Sequence, residues 1–75
     1  MSYVYVLKSL KNGKKYVGYT SRSVEQRLNE HNSGSNAFTR ANRPFEIIYF
    51  EKHDDEIFAK KREKYLKSGH GRSYL

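Results

Sequence analysis

The pair Asn12-Gly13, set between two short segments of alternating hydrophobicity, is the feature that most constrains the fold. Both residues tolerate the positive φ of a tight hairpin turn, so the pair predicts two antiparallel strands joined by a two-residue turn. The strands are expected over residues 3–9 and 15–20. The rest of the chain is interpreted around this hairpin.

The position of the turn determines which strand residues face each other. We expect Tyr5 opposite Thr20 and Leu7 opposite Gly18, with Tyr16 on the same side of the sheet because side chains alternate along a strand. A glycine within a strand often marks the close approach of a ligand or of another backbone. Tyrosines are also ordinary strand residues, so the pattern alone does not establish a site. The opposite face is mainly aliphatic and suited to a core: Val4, Val6, Val17 and Tyr19.

A first helix is expected directly after the second strand, over residues 24–32. Ser23 and Gln26 have the spacing of a capping box, and Gly34 is placed to end the helix. The order strand, strand, helix requires this helix to pack back onto the hairpin.

Arg27 and His31 are four residues apart and therefore share a face of that helix. Each residue alone would be read as a solvated surface residue. Their stripe flanks the apolar stripe of Val24 and Leu28, which should pack on the sheet, so we expect Arg27 and His31 at the rim of the tyrosine-bearing face.

Residues 33–44 are predicted to form a loop. Phe38 lies near the cations Arg40 and Arg43, and an aromatic ring among cations can stack on a base while the cations bind phosphates. A loop of this length in a small domain is usually functional or flexible. The residues favour neither reading over the other.

A second helix is predicted over residues 56–67, with Asp54 or Asp55 as its N-cap and Gly69 or Gly71 at its end. Its buried side is expected to comprise Phe58, Tyr65 and Leu66, with Ile57 or Ala59 at its start.

A third strand is predicted over residues 45–52, and the apolar residues on both of its faces at 47–50 favour a central position in the sheet. The predicted fold is a small α+β single domain over residues 1–75, of order β-β-α-β-α. Its three-stranded antiparallel sheet is flanked by two helices, with the site on the sheet face between them.

Glu63 is the only acidic residue between Lys60 and the C terminus. In helical spacing it shares a face with Ala59 and Leu66, so we expect it to point toward the sheet. An ion pair with Lys67 would explain Glu63 as a surface residue. A lone carboxylate in a basic field is equally what a divalent metal needs at a phosphate site.

The composition limits the class of protein. With 75 residues and no cysteine, the chain is one small domain without a disulfide framework or a cysteine-ligated zinc site. No apolar run approaches the roughly 20 residues of a membrane span, which favours a cytoplasmic protein without membrane contact. Fifteen Lys and Arg against eight Asp and Glu give a net charge of +7, which favours a polyanionic partner, above all a nucleic acid.

The assembled pattern resembles the GIY-YIG nuclease superfamily, in particular its short stand-alone bacterial type, and is similar to the catalytic domain of the excision-repair incision nuclease. Tyr3-Val4-Tyr5 matches the first signature tripeptide, and Tyr16-Val17-Gly18 matches the second. The remaining matches follow in the expected order: Thr20, Arg27, His31 and Glu63.

Two positions depart from the family pattern. Tyr3 stands where the first signature has a glycine, and no asparagine follows Glu63, although some members carry one. The sequence also contains no separate DNA-recognition module of the kind found in homing enzymes. The resemblance therefore implies an endonuclease of low sequence specificity.

The resemblance implies metal-assisted hydrolysis of phosphodiester bonds in DNA, with a place in repair or recombination. Glu63 would hold one Mg²⁺ or Mn²⁺ ion, and Arg27 would bind the pentavalent phosphate. Tyr16 would help deprotonate the attacking water, with His31 as proton acceptor directly or through water, because a free tyrosine with a pKa near 10 is a poor base. Tyr5 would position the water or the phosphate. The residues expected to line the substrate site are Gly18, Thr20, Arg40 and Arg43.

Two alternatives stay open at this point. A non-catalytic nucleic-acid-binding module on the same fold is indicated by the charge of +7, by Arg40 and Arg43, and by the missing asparagine. A subunit that acts only with a protein partner is indicated solely by the Tyr74-Leu75 tail. The residues do not distinguish RNA from DNA as the substrate, and they leave the selectivity for nicked, branched or damaged structures open.

Overall fold

The computed structural model describes residues 1–68, which form three strands and three helices. The elements are β1 (Ser2–Ser9), β2 (Lys15–Thr20), α1 (Val24–Asn32), α2 (Ala37–Asn42), β3 (Phe45–His53) and α3 (Glu56–Lys67). The strands form one antiparallel sheet, so the predicted α+β class is confirmed. None of the helices in the described range is long and apolar enough to span a membrane.

The predicted boundaries of α1 and α3 agree with the structure because both helices carry strong local signals. The Ser23 hydroxyl caps α1, and Gly34 follows the end of that helix with a φ of 84°. Asp55 caps α3 by accepting a hydrogen bond from a backbone N–H two residues on. Gly69 and Gly71, which were expected to end this helix, lie outside the described residues, as does the Tyr74-Leu75 tail.

The predicted register of the hairpin is wrong by two residues. Tyr5 pairs with Gly18 rather than with Thr20, and Leu7 pairs with Tyr16. A shift by an even number leaves every side chain on its predicted face. The tyrosine-bearing face and the aliphatic face therefore have the expected members.

The register differs because the loop between β1 and β2 is longer than a two-residue turn. The Ser9 hydroxyl accepts hydrogen bonds from the backbone N–H groups of Lys11 and Asn12, at 3.1 and 3.2 Å. The Ser9 carbonyl accepts from the N–H of Gly13, at 2.9 Å. These hydrogen bonds to Ser9 close the loop between β1 and β2. Gly13, with a φ of 76°, occupies the position in this loop that needs a left-handed backbone conformation.

The segment predicted as a loop contains the short helix α2. Asn36 and Thr39 cap it reciprocally, since the Asn36 side chain accepts from the Thr39 N–H at 2.8 Å and the Asn36 N–H donates to the Thr39 hydroxyl at 3.3 Å. The Ser9 hydroxyl also donates to the Asn42 carbonyl at 2.5 Å. This bond ties the end of α2 to the hairpin.

β1, and not β3, is the central strand of the sheet, whose order is β2-β1-β3. The prediction of a central β3 is wrong because its run of apolar residues comes from a β-bulge. Val6 pairs with Tyr49 while Leu7 pairs with Ile47, which leaves Ile48 as an extra residue. Because of the bulge, the inward-facing apolar side chains of β3 lie on one face of the sheet before Ile48 and on the other face after it.

Each face of the sheet carries its own core. The aliphatic face packs against α3, with the buried residues Val4, Val6, Val17, Ala59 and Leu66. The tyrosine-bearing face packs against α1, with the buried residues Tyr5, Leu7, Val24 and Phe45. The sheet therefore lies between α1 and α3. The expectation of a site on a sheet face between the two helices is wrong, because the helices pack on opposite faces.

The buried side of α3 is narrower than predicted. Ala59 and Leu66 are fully buried, whereas Phe58, Tyr65 and Ile57 are 62%, 45% and 64% exposed. The expected burial of Phe58 and Tyr65 is therefore wrong. Basic side chains of the same helix lie over both rings, so these aromatics pack along the outer surface of α3.

A carboxylate from β3 fixes the position of α3. Arg62 donates through Nε to both oxygens of Glu51, at 2.9 and 3.0 Å. Tyr49 and His53 also hydrogen-bond to Glu51. The neighbouring Glu63 is therefore carried on a helix that is pinned to the sheet.

Candidate active site

The phenol ring of Tyr5 lies directly across Gly18, its partner in the sheet. A Cβ atom at Gly18 would lie 2.3 Å from the Tyr5 Oη and 2.4 Å from its Cζ. The φ of Gly18 is not positive, so the requirement for glycine is steric and does not come from the backbone conformation. Position 18 therefore has room only for glycine while Tyr5 lies across from it.

Tyr5 and His31 form a buried pair. The Tyr5 Oη lies 2.8 Å from the His31 Nε2, and the His31 Nδ1 lies 3.3 Å from the Ser35 hydroxyl. Both nitrogens of the fully buried imidazole therefore have partners, as a buried polar ring requires. His31 lies inside the site rather than at its rim.

The environment of this pair keeps both rings neutral near pH 7. Burial raises the pKa of Tyr5 to about 12, an effect that the nearby Arg27 guanidinium partly opposes. Burial also lowers the pKa of His31 to about 4, and the positive charge of Arg27 acts in the same direction. Tyr5 is consequently a hydrogen-bonding phenol, and His31 is a neutral imidazole.

Tyr16 lies beside the same histidine but contacts it through its ring. The ring centroids of Tyr16 and His31 are 4.8 Å apart, with an interplanar angle of 60°. On another side, Tyr16 stacks on Phe38 with centroids 5.6 Å apart. No hydrogen bond joins Tyr16 to His31, because the two imidazole nitrogens are engaged by Tyr5 and Ser35. We expected proton transfer from Tyr16 to His31 either directly or through water; the direct route has no hydrogen bond, and the route through water stays a prediction.

Arg27 is held in place by a carboxylate of its own helix. Its Nη1 lies 2.6 Å from the Glu30 Oε1, and Arg22 reaches the same oxygen at 2.7 Å. Hydrogen bonds from Arg27 and Arg22 lower the pKa of Glu30 although desolvation opposes them, so the carboxylate stays charged. Glu30 thereby restricts Arg27 to the neighbourhood of Tyr5.

Glu63 lies at the edge of the site rather than deep in it. Its side chain is 24% exposed and pairs with Lys67 at 3.2 Å. The Lys67 Nζ in turn lies 6.0 Å from the centroid of the Tyr16 ring. The Glu63 carboxylate also contributes, after burial and other groups, to the raised pKa of Tyr5. Glu63 therefore lies on a helix that packs on the opposite face of the sheet, and it is linked to the Tyr16 ring through Lys67.

The side chains of residues 1–68 could hold a metal only at a site with fewer than three protein ligands. This range holds no group of three or more His, Cys, Asp or Glu side chains placed to bind an ion. Mg²⁺ is commonly held by one or two carboxylates, with phosphate oxygens and water completing its shell. Glu63 meets this minimal requirement, but a metal there has to compete with Lys67.

The other residues predicted to contact the substrate have structural partners. The Thr20 side chain is buried and accepts from the backbone N–H of Arg22 at 3.0 Å. Arg40 and Arg43 donate to the carbonyls of Gly34 and Asn32, each at 3.4 Å, at the C-terminal end of α1. Both guanidinium groups remain on the surface. Substrate binding by these residues stays a prediction.

Several contacts of the site were not anticipated from the sequence. Glu30 could have been found from its i,i+3 spacing to Arg27, which favours an ion pair. The bond of Ser35 to His31 and the stacking of Phe38 on Tyr16 depend on how α2 folds back, and no local pattern indicates them.

The chain belongs to the GIY-YIG catalytic domain family, whose model matches residues 1–74. The family inferred from the residue pattern is thereby confirmed, and with it membership of a superfamily of nucleases. No solved structure gives a significant match.

Within this family the chain is similar to proteins named UPF0213. It is 40% identical over 68 residues to the UPF0213 protein of Clostridium perfringens strain 13, covering 89% of this chain and 71% of the relative. It is 37% identical over 67 residues to that of Staphylococcus saprophyticus, covering 88% and 79%. It is 48% identical over 62 residues to that of Bacillus pumilus, covering 81% and 56%. These names state no substrate.

Proposed function

We propose that this protein is a metal-dependent endonuclease that hydrolyses phosphodiester bonds in DNA with little sequence preference. The observation that carries the proposal is the convergence of Tyr5, Tyr16, Arg27 and His31 on one face of the sheet, with Glu63 at its edge. Repair or recombination would be the setting for an enzyme that reads DNA structure rather than sequence. The net charge of +7 favours association with the phosphate backbone.

The two tyrosines would have different roles. Tyr5 stays protonated, since its pKa is raised to about 12, and its hydroxyl would orient the water or a phosphate oxygen. Tyr16 is partly exposed, so it would first lose its phenolic proton to solvent and then, as the phenolate, take one proton of the attacking water. The Lys67 Nζ lies 6.0 Å from the centroid of the Tyr16 ring. His31 would hold Tyr5 in position, and a proton leaving Tyr16 would pass to solvent or through a water.

Arg27 and Glu63 would act on the phosphate. The Arg27 guanidinium is permanently charged and planar, and it would donate to the phosphoryl oxygens as charge develops on them. Glu63 would bind Mg²⁺ or Mn²⁺, and the bound ion would supply charge stabilisation at the phosphate and the leaving oxygen. The Glu63–Lys67 ion pair would have to open for this, which the exposure of Lys67 permits.

Cleavage of supercoiled plasmid and of nicked or branched oligonucleotides tests the proposal, with Mg²⁺ or Mn²⁺ against a chelator. The wild type should nick DNA only with the metal. Glu63→Gln should abolish nicking while the fold and DNA binding are retained. Unchanged cleavage by this variant would contradict the role of Glu63.

Glu56→Gln is a matched control on the same helix. Glu56 pairs with Lys60 at i,i+4 over 3.3 Å, just as Glu63 pairs with Lys67 over 3.2 Å. Both changes remove one ion pair of the same kind, but Glu56 is not at the site. Nicking by the Glu56 variant should equal that of the wild type, and an equal loss in both variants would indicate an effect of helix stability or net charge.

A non-catalytic nucleic-acid-binding module is the second candidate. It is favoured by the ion pair that Glu63 forms with Lys67. It is also favoured by the absence, within residues 1–68, of any group of three or more side chains placed to bind an ion. Wild-type protein that binds DNA but never cuts it in either metal would decide for this candidate.

A further inference from the structure

An open cleft of about 820 Å³ lies beside the candidate active site. One wall is aromatic and is formed by Phe38 and Tyr16. None of the lining residues within the described part of the chain is acidic. The basic residues that line the cleft are Lys14, Lys15 and Lys67.

Phe38 presents more of its ring than packing requires. It contacts Tyr16 and Phe45, with centroid distances of 5.6 and 6.2 Å, yet it is 37% exposed. Since Phe38 lines the cleft, this exposed part of the ring is available to a ligand. A flat apolar ring bordered by lysines is the arrangement that binds a nucleobase by stacking and its phosphates by charge.

Tyr16 connects the cleft with the candidate active site. Its ring lies against His31 at 4.8 Å and against Phe38 at 5.6 Å. Lys67 has a similar position, because it lines the cleft and pairs with Glu63. A base stacked on Phe38 would therefore lie one aromatic ring away from the residues proposed to act on the phosphate.

We propose that this cleft binds one unpaired nucleobase, stacked on Phe38, beside the phosphate that is cut. The inference rests on the proposed function and adds a substrate class, namely DNA that carries an unpaired nucleotide. A base within a continuous duplex is covered on both faces by its neighbours, and taking it out costs unstacking free energy. Bulges, flaps, gaps and single strands provide the base already free.

The test compares two DNA duplexes of identical sequence that differ in a single-nucleotide bulge. In one duplex the bulged nucleotide carries adenine, and in the other it is abasic, so both present the same phosphates. Affinities are measured by fluorescence anisotropy in the presence of a chelator, which excludes cleavage. A continuous duplex serves as a third probe.

The wild type should bind the adenine bulge about 5- to 150-fold more tightly than the abasic bulge, the range expected for stacking one base on an aromatic side chain. Phe38→Ala should remove this preference while its affinity for the abasic bulge stays unchanged. Phe38→Leu retains an apolar side chain at this position but cannot stack in the same way, so it should lose the preference even if the alanine variant is unstable. Phe58→Ala removes an exposed aromatic outside the cleft and should retain the full preference.

Equal binding of the two bulges by the wild type would overturn the inference. So would an equal loss of affinity for both bulges in the folded Phe38 variants, because that result assigns Phe38 a structural role. Because binding is measured without metal, the two proposals can fail separately. A base preference without any nicking activity would refute the endonuclease but support base binding in the cleft. Nicking without a base preference would support the endonuclease but refute base binding in the cleft.

Discussion

Replacing Gly18 by alanine tests the geometry of the site most directly. The new Cβ would lie 2.3, 2.4 and 2.8 Å from the Oη, Cζ and Cε2 of Tyr5. These are distal atoms of a fully buried ring whose hydroxyl is bonded to His31, so the ring cannot simply turn into solvent. The variant has to move either the strand or the ring.

The expected cost follows from three contributions. Overpacking a close-packed site costs about 1–3 kcal/mol. If Tyr5 gives way, His31 is left with an unsatisfied buried nitrogen, which costs about another 1–3 kcal/mol. Against this, alanine restricts the unfolded chain and returns about 0.4–1 kcal/mol. The free energy of unfolding should therefore fall by about 3 kcal/mol, a large part of the roughly 5–15 kcal/mol that stabilises a typical domain.

Urea unfolding followed by circular dichroism measures this loss, and a double-mutant cycle assigns its cause. Tyr5→Leu removes all three of the atoms that the new Cβ would meet. In that background Gly18→Ala should cost little or nothing. A stability within about 0.5 kcal/mol of the wild type for the single variant, or an equal cost in both backgrounds, would refute the steric account.

Three further measurements follow from the site. Between pH 7 and pH 5 the free energy of unfolding should fall by about 2 kcal/mol, because the unfolded chain protonates His31 near pH 6.5 whereas its pKa in the folded protein is lowered to about 4. His31→Gln should flatten this pH dependence, and an unchanged slope in that variant would assign it to other groups. Glu30→Gln should lower the rate of nicking by about 10- to 100-fold, because it frees Arg27 from its 2.6 Å partner, with the unfolding midpoint nearly unchanged. Glu25→Gln, an exposed change on the same helix, is its control, and equal rates for both variants would remove Glu30 from the site. DNA affinity should fall steeply with salt, by about 0.9 log unit per phosphate contact for each decade, and a flat response would argue against a phosphate-binding surface.

The sequence predicted what local rules determine. The period of two along a strand placed Tyr5, Tyr16 and Gly18 on one face, and this holds although the register differs. The ends of the helices were predictable because their capping groups are adjacent in sequence, as with Ser23 and Asp55. The resemblance to the family was carried by the same short motifs.

The remaining features depend on residues that are distant in the chain. The width of the hairpin loop follows from Ser9, whose hydroxyl also bonds to Asn42. Helical spacing correctly placed Ala59 and Leu66 against the sheet. It offered the ion pair of Glu63 with Lys67 as one reading but did not decide between that pair and a carboxylate directed at the sheet. Such contacts depend on how helices and strands pack against each other, and a sequence pattern within one helix or strand does not contain that information.

The extra residue in β3 makes the length of this strand more consequential than its composition. Before Ile48 the strand lines the side of the sheet that faces α1, as Ile47 does; after it, the strand turns Glu51 toward α3. One strand thereby sets the separation of two helices, those that carry Arg27 and Glu63. Loss of Ile48 would move the side chains that follow it in β3 to the opposite face of the sheet, so Glu51 would no longer reach Arg62 of α3. Related sequences should therefore accept substitutions along β3 far more readily than insertions or deletions.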